Sequence, residues 1–185
     1  TSDSGQFVAV GSNGRIIRST DNGENWECEF SRCRYSLLGS IFGNNTFVAV
    51  GSTGTVVRST DNGSSWDNVT TPTDKILYGV TFGNDTFVGV GDFGGIVRST
   101  DNGSSWDNVT SPTTNFLDEV TFGNNTFVGV GGSGNIVRST DNGSSWDNAT
   151  SPTENNLRGV TFGNNTFVAG GSGGVIATST DDGIT

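Results

Sequence analysis

Short stretches rich in Val, Ile, Phe and Thr follow one another along the whole chain, and a cluster of turn-forming residues closes each stretch. Clusters of Gly, Asn, Asp and Pro of this kind reverse the chain direction. No segment carries apolar residues at the 3.6-residue spacing of a helix over a helical length. In one 40-residue unit, residues 77–116, the pattern predicts four strands at 77–82, 86–90, 96–100 and 105–110.

A motif of ten residues marks the same point of every unit. STDNGSSWDN occurs at 59–68, 99–108 and 139–148, a relative STDNGENWEC at 19–28, and a shortened STDDGIT at 179–185. A period near 40 with four strands per unit is typical of β-propeller blades. The aspartates that mark the period, spaced by 40 residues, are Asp21, Asp61, Asp101, Asp141 and Asp181.

We therefore predict an all-β protein, a single β-propeller domain of about five four-stranded antiparallel blades. The predicted repeats cover approximately residues 1–36, 37–76, 77–116, 117–156 and 157–185.

The motif combines residues that stabilise a tight turn with a Trp that follows the turn. The Asp carboxylate can accept backbone N–H groups of its own turn, and Gly supplies a backbone conformation that other residues resist. The Trp is expected to bury its ring against the neighbouring unit, and this expectation includes Trp26. The structural residues are Ser19, Asp21, Gly23 and Trp26; Ser59, Asp61, Gly63 and Trp66; Ser99, Asp101, Gly103 and Trp106; Ser139, Asp141, Gly143 and Trp146; and Ser179, Asp181 and Gly183.

This S-x-D-x-G-x-x-W pattern resembles the Asp-box, or BNR repeat, of the sialidase-like β-propeller superfamily. Sialidases of that superfamily clamp a carboxylate with three arginines and use a Tyr–Glu pair and an Asp. Here Arg18, Arg58, Arg98 and Arg138 share one repeat position, so they point in as many directions as there are blades and cannot converge on one ligand. We expect a protein without catalytic residues or cofactors, and a sialidase-like glycoside hydrolase is the less favoured alternative.

Charge and cysteine content narrow the partners and the compartment. The formal net charge is −10, which disfavours nucleic acid, and no apolar run approaches the ~20 residues of a membrane span. The box does not match a calcium-binding loop, and we expect no metal site. A disulfide between Cys28 and Cys33 would fit an oxidising compartment, and two free buried thiols are the alternative. An extracellular or cell-surface location is expected.

Asn-x-Ser/Thr sequons recur in every unit from the second onwards. Three of them are predicted to lie on the outermost strand of a blade, where a glycan would be sterically free and would shield a strand edge. Chance occurrence in a chain rich in Ser, Thr and Asn is the alternative. The candidate glycosylation sites are Asn68, Asn108 and Asn148.

The units differ mainly in two connections, from strand 4 to the next strand 1 and from strand 2 to strand 3. In an up-and-down meander these two connections emerge on one face, where propellers often hold ligands. This face is either a binding surface for a glycan or another surface ligand, or a place where loops tolerate drift. The candidate ligand-binding residues are Lys75, Tyr78, Asp92, Phe93, Phe116, Asp118, Glu154 and Arg158.

The terminal units are predicted to be incomplete. The first extended stretch, QFVAV, aligns with strand 2 of later units, and the last, in VIATSTDDG, with strand 3. The first unit should then lack its inner strand and the fifth its outer strand and Trp. Either the chain is part of a longer array, or the ring closes imperfectly, or neighbouring copies supply strands to each other. The preferred function is a non-catalytic extracellular structural or adhesive module that self-associates into fibres or rings.

Overall fold

The computed structural model describes residues 2–3, 5–30 and 34–183, and these form five antiparallel sheets. In each sheet the strands pair in chain order, so each sheet is a meander, which we call a blade. Blades 1 and 2 contain β1 (Ser2–Asp3), β2 (Gln6–Val10), β3 (Arg15–Ser19) and β4 (Glu27–Phe30); and β5 (Leu37–Gly43), β6 (Thr46–Gly51), β7 (Val56–Ser59) and β8 (Asp67–Val69). Blades 3 to 5 contain β9 (Leu77–Gly83), β10 (Thr86–Gly91), β11 (Ile96–Ser99) and β12 (Asp107–Val109); β13 (Leu117–Gly123), β14 (Thr126–Gly131), β15 (Ile136–Ser139) and β16 (Asp147–Asn148); and β17 (Leu157–Gly163), β18 (Thr166–Gly171) and β19 (Ile176–Ser179).

The first strands of blades 2 to 5 lie side by side in chain order and form the inner wall of the array. The blades therefore fan out around an axis, and the predicted β-propeller fold is confirmed. The predicted outer strand at 105–110 is shorter in the structure, where β12 covers Asp107–Val109. The reason is that the box turn continues up to Trp106 before the chain becomes extended.

The prediction that the first unit lacks its inner strand is wrong. Ser2 and Asp3 pair with Phe7 and Gln6 and form the short strand β1. A turn through Gly5, which has a φ of +87°, brings the two residues back onto β2. Two paired residues are too few to show in a hydrophobic pattern, so the sequence could not reveal them. In blade 5 the described residues form three strands, as predicted.

Tight turns join the inner strand to the second strand of each blade. In blade 3 the turn residues Asn84 and Asp85 have φ values of 46° and 56°. Two consecutive left-handed residues match the right-handed twist of a hairpin, and Asn and Asp tolerate that conformation. This turn and the box lie at one end of the blade, and the two connections that vary between units lie at the other end.

Apolar side chains fill the seams between consecutive blades. We call the side of a blade that faces the preceding blade its front face, and the opposite side its back face. Between blades 2 and 3 the back-face residues Val48, Val50 and Val56 pack against Phe87 and Trp106 on the front face of blade 3. Burying such a side chain stabilises the fold by about 1.5–3 kcal/mol. The same positions fill the other three seams, without a Trp in the described part of blade 5.

The box anchors the tryptophan of each seam. In blade 3 the Ser99 hydroxyl donates to Asp101 at 2.9 Å and accepts the N–H of Gly103 at 2.9 Å, and the Trp106 indole N–H donates to the Gly103 carbonyl at 3.3 Å. Trp66, Trp106 and Trp146 are 4%, 5% and 6% exposed. Trp26 is 44% exposed, so the expectation that it is buried in a seam is wrong. The described structure has no blade in front of blade 1 to cover it.

Three of the repeated arginines contact the box of the next blade. The Nε of Arg98 donates to the Asn142 carbonyl at 2.7 Å, and that of Arg138 donates to the Asp182 carbonyl at 3.0 Å. Arg58 donates through Nη1 to the Ser104 hydroxyl. Arg18 differs, because its Nε donates to Glu29 of its own blade at 3.2 Å.

Candidate binding face

Each inner strand of blades 2 to 5 carries a β-bulge one residue after its start. In blade 3 Leu77 lies opposite Gly91 and Gly79 opposite Val90, so Tyr78 has no partner in the register. A bulge bends its strand and re-aims the side chain of the extra residue. The bulge residues of the four blades differ in chemistry although the surrounding repeats are nearly identical. We call this set the bulge row: Leu38, Tyr78, Asp118 and Arg158.

Tyr78 is held by the hairpin between β10 and β11. Its hydroxyl donates to Asp92 Oδ1 at 2.8 Å, and Asp92 begins the short 3₁₀ turn Asp92–Gly94. Burial raises the pKa of Tyr78, and the hydrogen bond to Asp92 and the negative charges of Asp92 and Asp118 raise it further. The phenol therefore stays a neutral hydrogen-bond donor at physiological pH.

Phe93 projects into solvent from the middle of the same turn. Its ring is 71% exposed, and its backbone has a φ of 55°, which is uncommon for a bulky residue. The ammonium of Lys75 lies 5.2 Å from the ring centroid, within the range of a cation–π contact. An exposed aromatic ring in an unfavourable backbone conformation points to a role outside folding.

Asp118 and Arg158 connect blades 4 and 5 across the same face. Arg158 Nη1 lies 2.7 Å from Asp118 Oδ2, and its guanidinium carbon lies 5.5 Å from the Phe116 ring centroid. An exposed ion pair adds little to stability. Its effect here is to fix the orientation of an arginine beside an aromatic ring and a carboxylate.

Glu119 is a polar residue beside the bulge row that the sequence analysis does not include among the candidate residues. It stands where the other inner strands have Gly39, Gly79 and Gly159. One carboxylate oxygen accepts the Val120 N–H at 3.0 Å and lies against Gly79 of blade 3. Burial raises the pKa of Glu119, and the charge of Asp118 adds to this, although the hydrogen bond from Val120 opposes it.

The structure brings most of the predicted face residues into contact. Lys75 meets Phe93, Tyr78 meets Asp92, and Arg158 joins Asp118 to Phe116. Glu154 is exposed in the connection before β17 and makes none of these contacts. Sequence reasoning missed two exposed apolar residues of blade 2, which an offset of 40 residues from Lys75 and Tyr78 would have found. They are Tyr35 and Leu38.

The predicted modification sites lie on the outermost strands, and the side-chain amides of Asn108 and Asn148 donate to the Pro72 and Pro112 carbonyls. Asn68, Asn108 and Asn148 are exposed on the outermost strands, and glycosylation there stays a prediction. Cys33 lies outside the described residues, so its pairing with Cys28 also stays a prediction. Cys28 itself is exposed, which argues against the alternative of two buried thiols. Within the described ranges no group of three or more His, Cys, Asp or Glu is placed to hold a metal ion.

Comparisons with known proteins give the fold of the whole array. A scan against protein families found no match, and a search of the curated proteins found none either. Solved structures do match. The fold is that of a β-propeller. A structure described as "YCF48 bound to D1 peptide" superposes with a TM-score of 0.74 at 17% identity, over 100% of this chain and 63% of that one.

Two further structures give the same picture. YCF48 from Cyanidioschyzon merolae matches with a TM-score of 0.71 at 18% identity, over 96% of this chain and 63% of that chain. The WD40 β-propeller domain of Doa1 matches with a TM-score of 0.74 at 11% identity, over 98% of this chain and 63% of that chain. The chain thus spans 63% of the length of each of these structures. In the described part of the chain no helix is long and apolar enough to cross a membrane.

Proposed function

We propose that this chain is a non-catalytic structural and adhesive propeller module that holds a partner protein through the bulge row. The observation that carries the proposal is the bulge at the same point of four inner strands, each with a different side chain. Bulges are typical of sites where a fold re-aims side chains for function. The variation of an otherwise nearly constant repeat thus includes this row.

The chemistry of the face suits a segment of protein chain. Phe93 and Leu38 offer exposed apolar surface, whereas Tyr78, Asp118 and Arg158 offer fixed polar groups. Exposed apolar surface with oriented polar groups around it is characteristic of protein-interaction sites. One of the structures with the same fold, YCF48, is described as bound to a peptide, and this supports the same use of the fold here.

One feature supports the absence of catalysis. The arginines that a sialidase would need as a carboxylate clamp are engaged at the seams, as in the contacts of Arg98 and Arg138 with box carbonyls.

Assignment to the Asp-box superfamily is part of the proposal. The hydrogen bonds that close each box around its Ser and Asp support it.

An extracellular or cell-surface location completes the proposal. It is supported by the sequons on exposed outer strands and by the two closely spaced cysteines, which suit an oxidising compartment.

The test is a selection of binding peptides from a displayed random library against the wild-type chain, followed by affinity measurements on variants. Tyr78→Ser combined with Arg158→Ser should weaken the selected peptides at least about tenfold, because two oriented groups of the face are lost. The control is Asp85→Asn on the opposite side of the blade, since Asn45, Asn125 and Asn165 occupy that position with the same backbone conformation. It should leave affinity unchanged.

Three results would overturn the proposal. Peptides that bind the double variant as well as they bind the wild-type chain would show that the bulge row is not the binding surface. Release of sugar from a panel of aryl glycosides, abolished by a substitution in the face, would show an enzyme. A glycan array tests carbohydrates as the alternative ligands. If the wild-type chain binds a glycan and the double variant does not, the ligand of this face is a carbohydrate rather than a protein.

A further inference from the structure

The back face of blade 5 is uncovered. Ile176 is 74% exposed, whereas Ile96, at the same position of blade 3, is 2% exposed in the seam with blade 4. A Cβ on Gly83 or Gly123 would meet the Phe ring of the following blade, but one on Gly163 would meet nothing within 4 Å. Blade 5 thus presents the apolar positions of a seam without the blade that fills it.

The front face of blade 1 is uncovered as well. Trp26 is largely exposed, although it donates to the Gly23 carbonyl at 3.0 Å like the buried tryptophans of later boxes. Phe7 and Ile17 are half-buried, whereas their equivalents Phe47 and Val57 are fully buried. Blade 1 therefore carries a formed front face with no back face against it.

The internal seams define what fits these two faces. Four times within the chain a front face packs against a back face, and in three of these seams the front face carries the Trp of its box. The exposed front face of blade 1 and the exposed back face of blade 5 therefore carry the two halves of one such seam.

We propose that the front face of blade 1 docks onto the back face of blade 5 of a second copy and reproduces an internal seam. Trp26 then occupies the place against Val168 and Ile176 that Trp106 occupies against Val48 and Val56. This joins faces rather than exchanging strands, so each copy keeps its own sheets. The inference goes beyond the proposed binding function and does not depend on it, because the bulge row lies on a different surface.

The contact is heterologous, since two different faces meet. Such contacts do not end at a two-fold dimer but continue into a ring or a filament. Ser2 stands at the register position where later blades have a Phe, so the contact is smaller than an internal seam. Association should therefore depend on protein concentration.

Sedimentation velocity over a range of concentrations tests the proposal with one substitution on each face. Trp26→Ser removes the anchor of the front face, and Ile176→Asp places a charge on the back face. Each variant alone should stay monomeric at concentrations at least about tenfold above those at which the wild-type chain associates. Ala9→Glu is a second front-face variant that leaves the Trp26 contacts in place.

Mixing gives the decisive measurement. Ile176→Asp keeps its front face and Trp26→Ser keeps its back face, so an equimolar mixture should form a 1:1 dimer and stop there. Asp85→Asn is the control, because blade 3 borders neither terminal face and Asn125 occupies that turn position with a φ of 57°. It should associate like the wild-type chain.

The inference is overturned if the wild-type chain is monomeric at every concentration. If the monomer shields Trp26 from solvent, the ring closes within one copy. If the monomer leaves Trp26 exposed, the two faces do not associate. It is also overturned if both front-face variants associate like the wild-type chain, or if the mixture of folded variants gives no dimer.

Discussion

At the scale of single residues, the box aspartates show how a short polar motif becomes a fixed turn. The hydroxyl and the backbone N–H of Ser145 both donate to Asp141, at 2.6 and 2.9 Å. With the Ser139 hydroxyl they lower the pKa of Asp141 to about 2, although burial opposes the change. The carboxylate is therefore a structural acceptor, and its charge is matched to the donors of its own turn.

Asp141→Asn tests this role through its pH dependence. A folded pKa below the ordinary value of about 3.9 means that the contribution to stability is present above pH 4 and is lost as the pH falls towards 2. We expect the variant to be less stable at pH 7 by no more than about 1 kcal/mol, because the group is exposed. Thermal unfolding from pH 7 to pH 2 should show this difference shrinking as the pH approaches 2.

The control for this prediction is Asp147→Asn, a neighbouring exposed carboxylate of β16 that takes no part in the box. It should change the melting temperature little at any pH. A difference between wild type and Asp141→Asn that is the same at pH 7 and at pH 2 would contradict the assigned role.

Residues of the box could be predicted from the sequence because the motif acts locally, within eight residues. Glu119 could not, since its partner is the backbone of Val120 and its surroundings come from Gly79 of another blade. The contact between Arg158 and Phe116 was likewise hidden, because the two residues lie in different repeats. Only the three-dimensional register of the blades brings such residues together.

At the scale of elements, the seams depend on glycine at the end of each inner strand. A Cβ on Gly83 would lie 2.1 Å from the Phe122 ring, and one on Gly123 would lie 2.1 Å from the Phe162 ring. Neither glycine has a positive φ, so the requirement is space for the neighbouring ring. The ring of the phenylalanine in the next blade thus packs directly on the backbone of each of these two glycines.

Two matched substitutions measure this requirement. Gly83→Ala should destabilise the protein by about 1–3 kcal/mol, because overpacking forces the ring and the strand apart. Gly163→Ala should cost less than about 0.5 kcal/mol, since a Cβ there meets nothing within 4 Å. Denaturant unfolding of both variants gives the comparison, and equal losses of stability would contradict the seam geometry.

The strands themselves could be predicted from the sequence because the repeat presents each one several times. The bulges could not, because one extra residue leaves the pattern of apolar positions almost unchanged and appears only in the pairing of Leu77 and Gly79 with β10. The short turn Asp92–Gly94 was hidden for a similar reason, since Gly-rich sequence is compatible with many turns.

At the scale of the whole molecule, the described residues form five consecutive blades, and Trp26 on the first blade and Ile176 on the last are exposed. The sequence predicted incomplete terminal blades. In the structure β1 pairs with β2, so blade 1 has an inner strand, and the incompleteness appears as the exposure of Trp26 and Ile176. Strand count alone could not distinguish an unpaired edge from an uncovered face. The distinction matters because an uncovered face selects its partner by side-chain packing.

Fluorine NMR of the chain labelled with 5-fluorotryptophan tests this architecture most directly, because each of the four tryptophans gives one signal. In dilute solution three signals should be insensitive to exchange of H₂O for D₂O, and the fourth, identified by its loss in Trp26→Phe, should shift. On raising the protein concentration, the Trp26 signal alone should become protected. Four equally exposed signals, or a Trp26 signal that is protected even in the most dilute sample, would contradict an open array of blades.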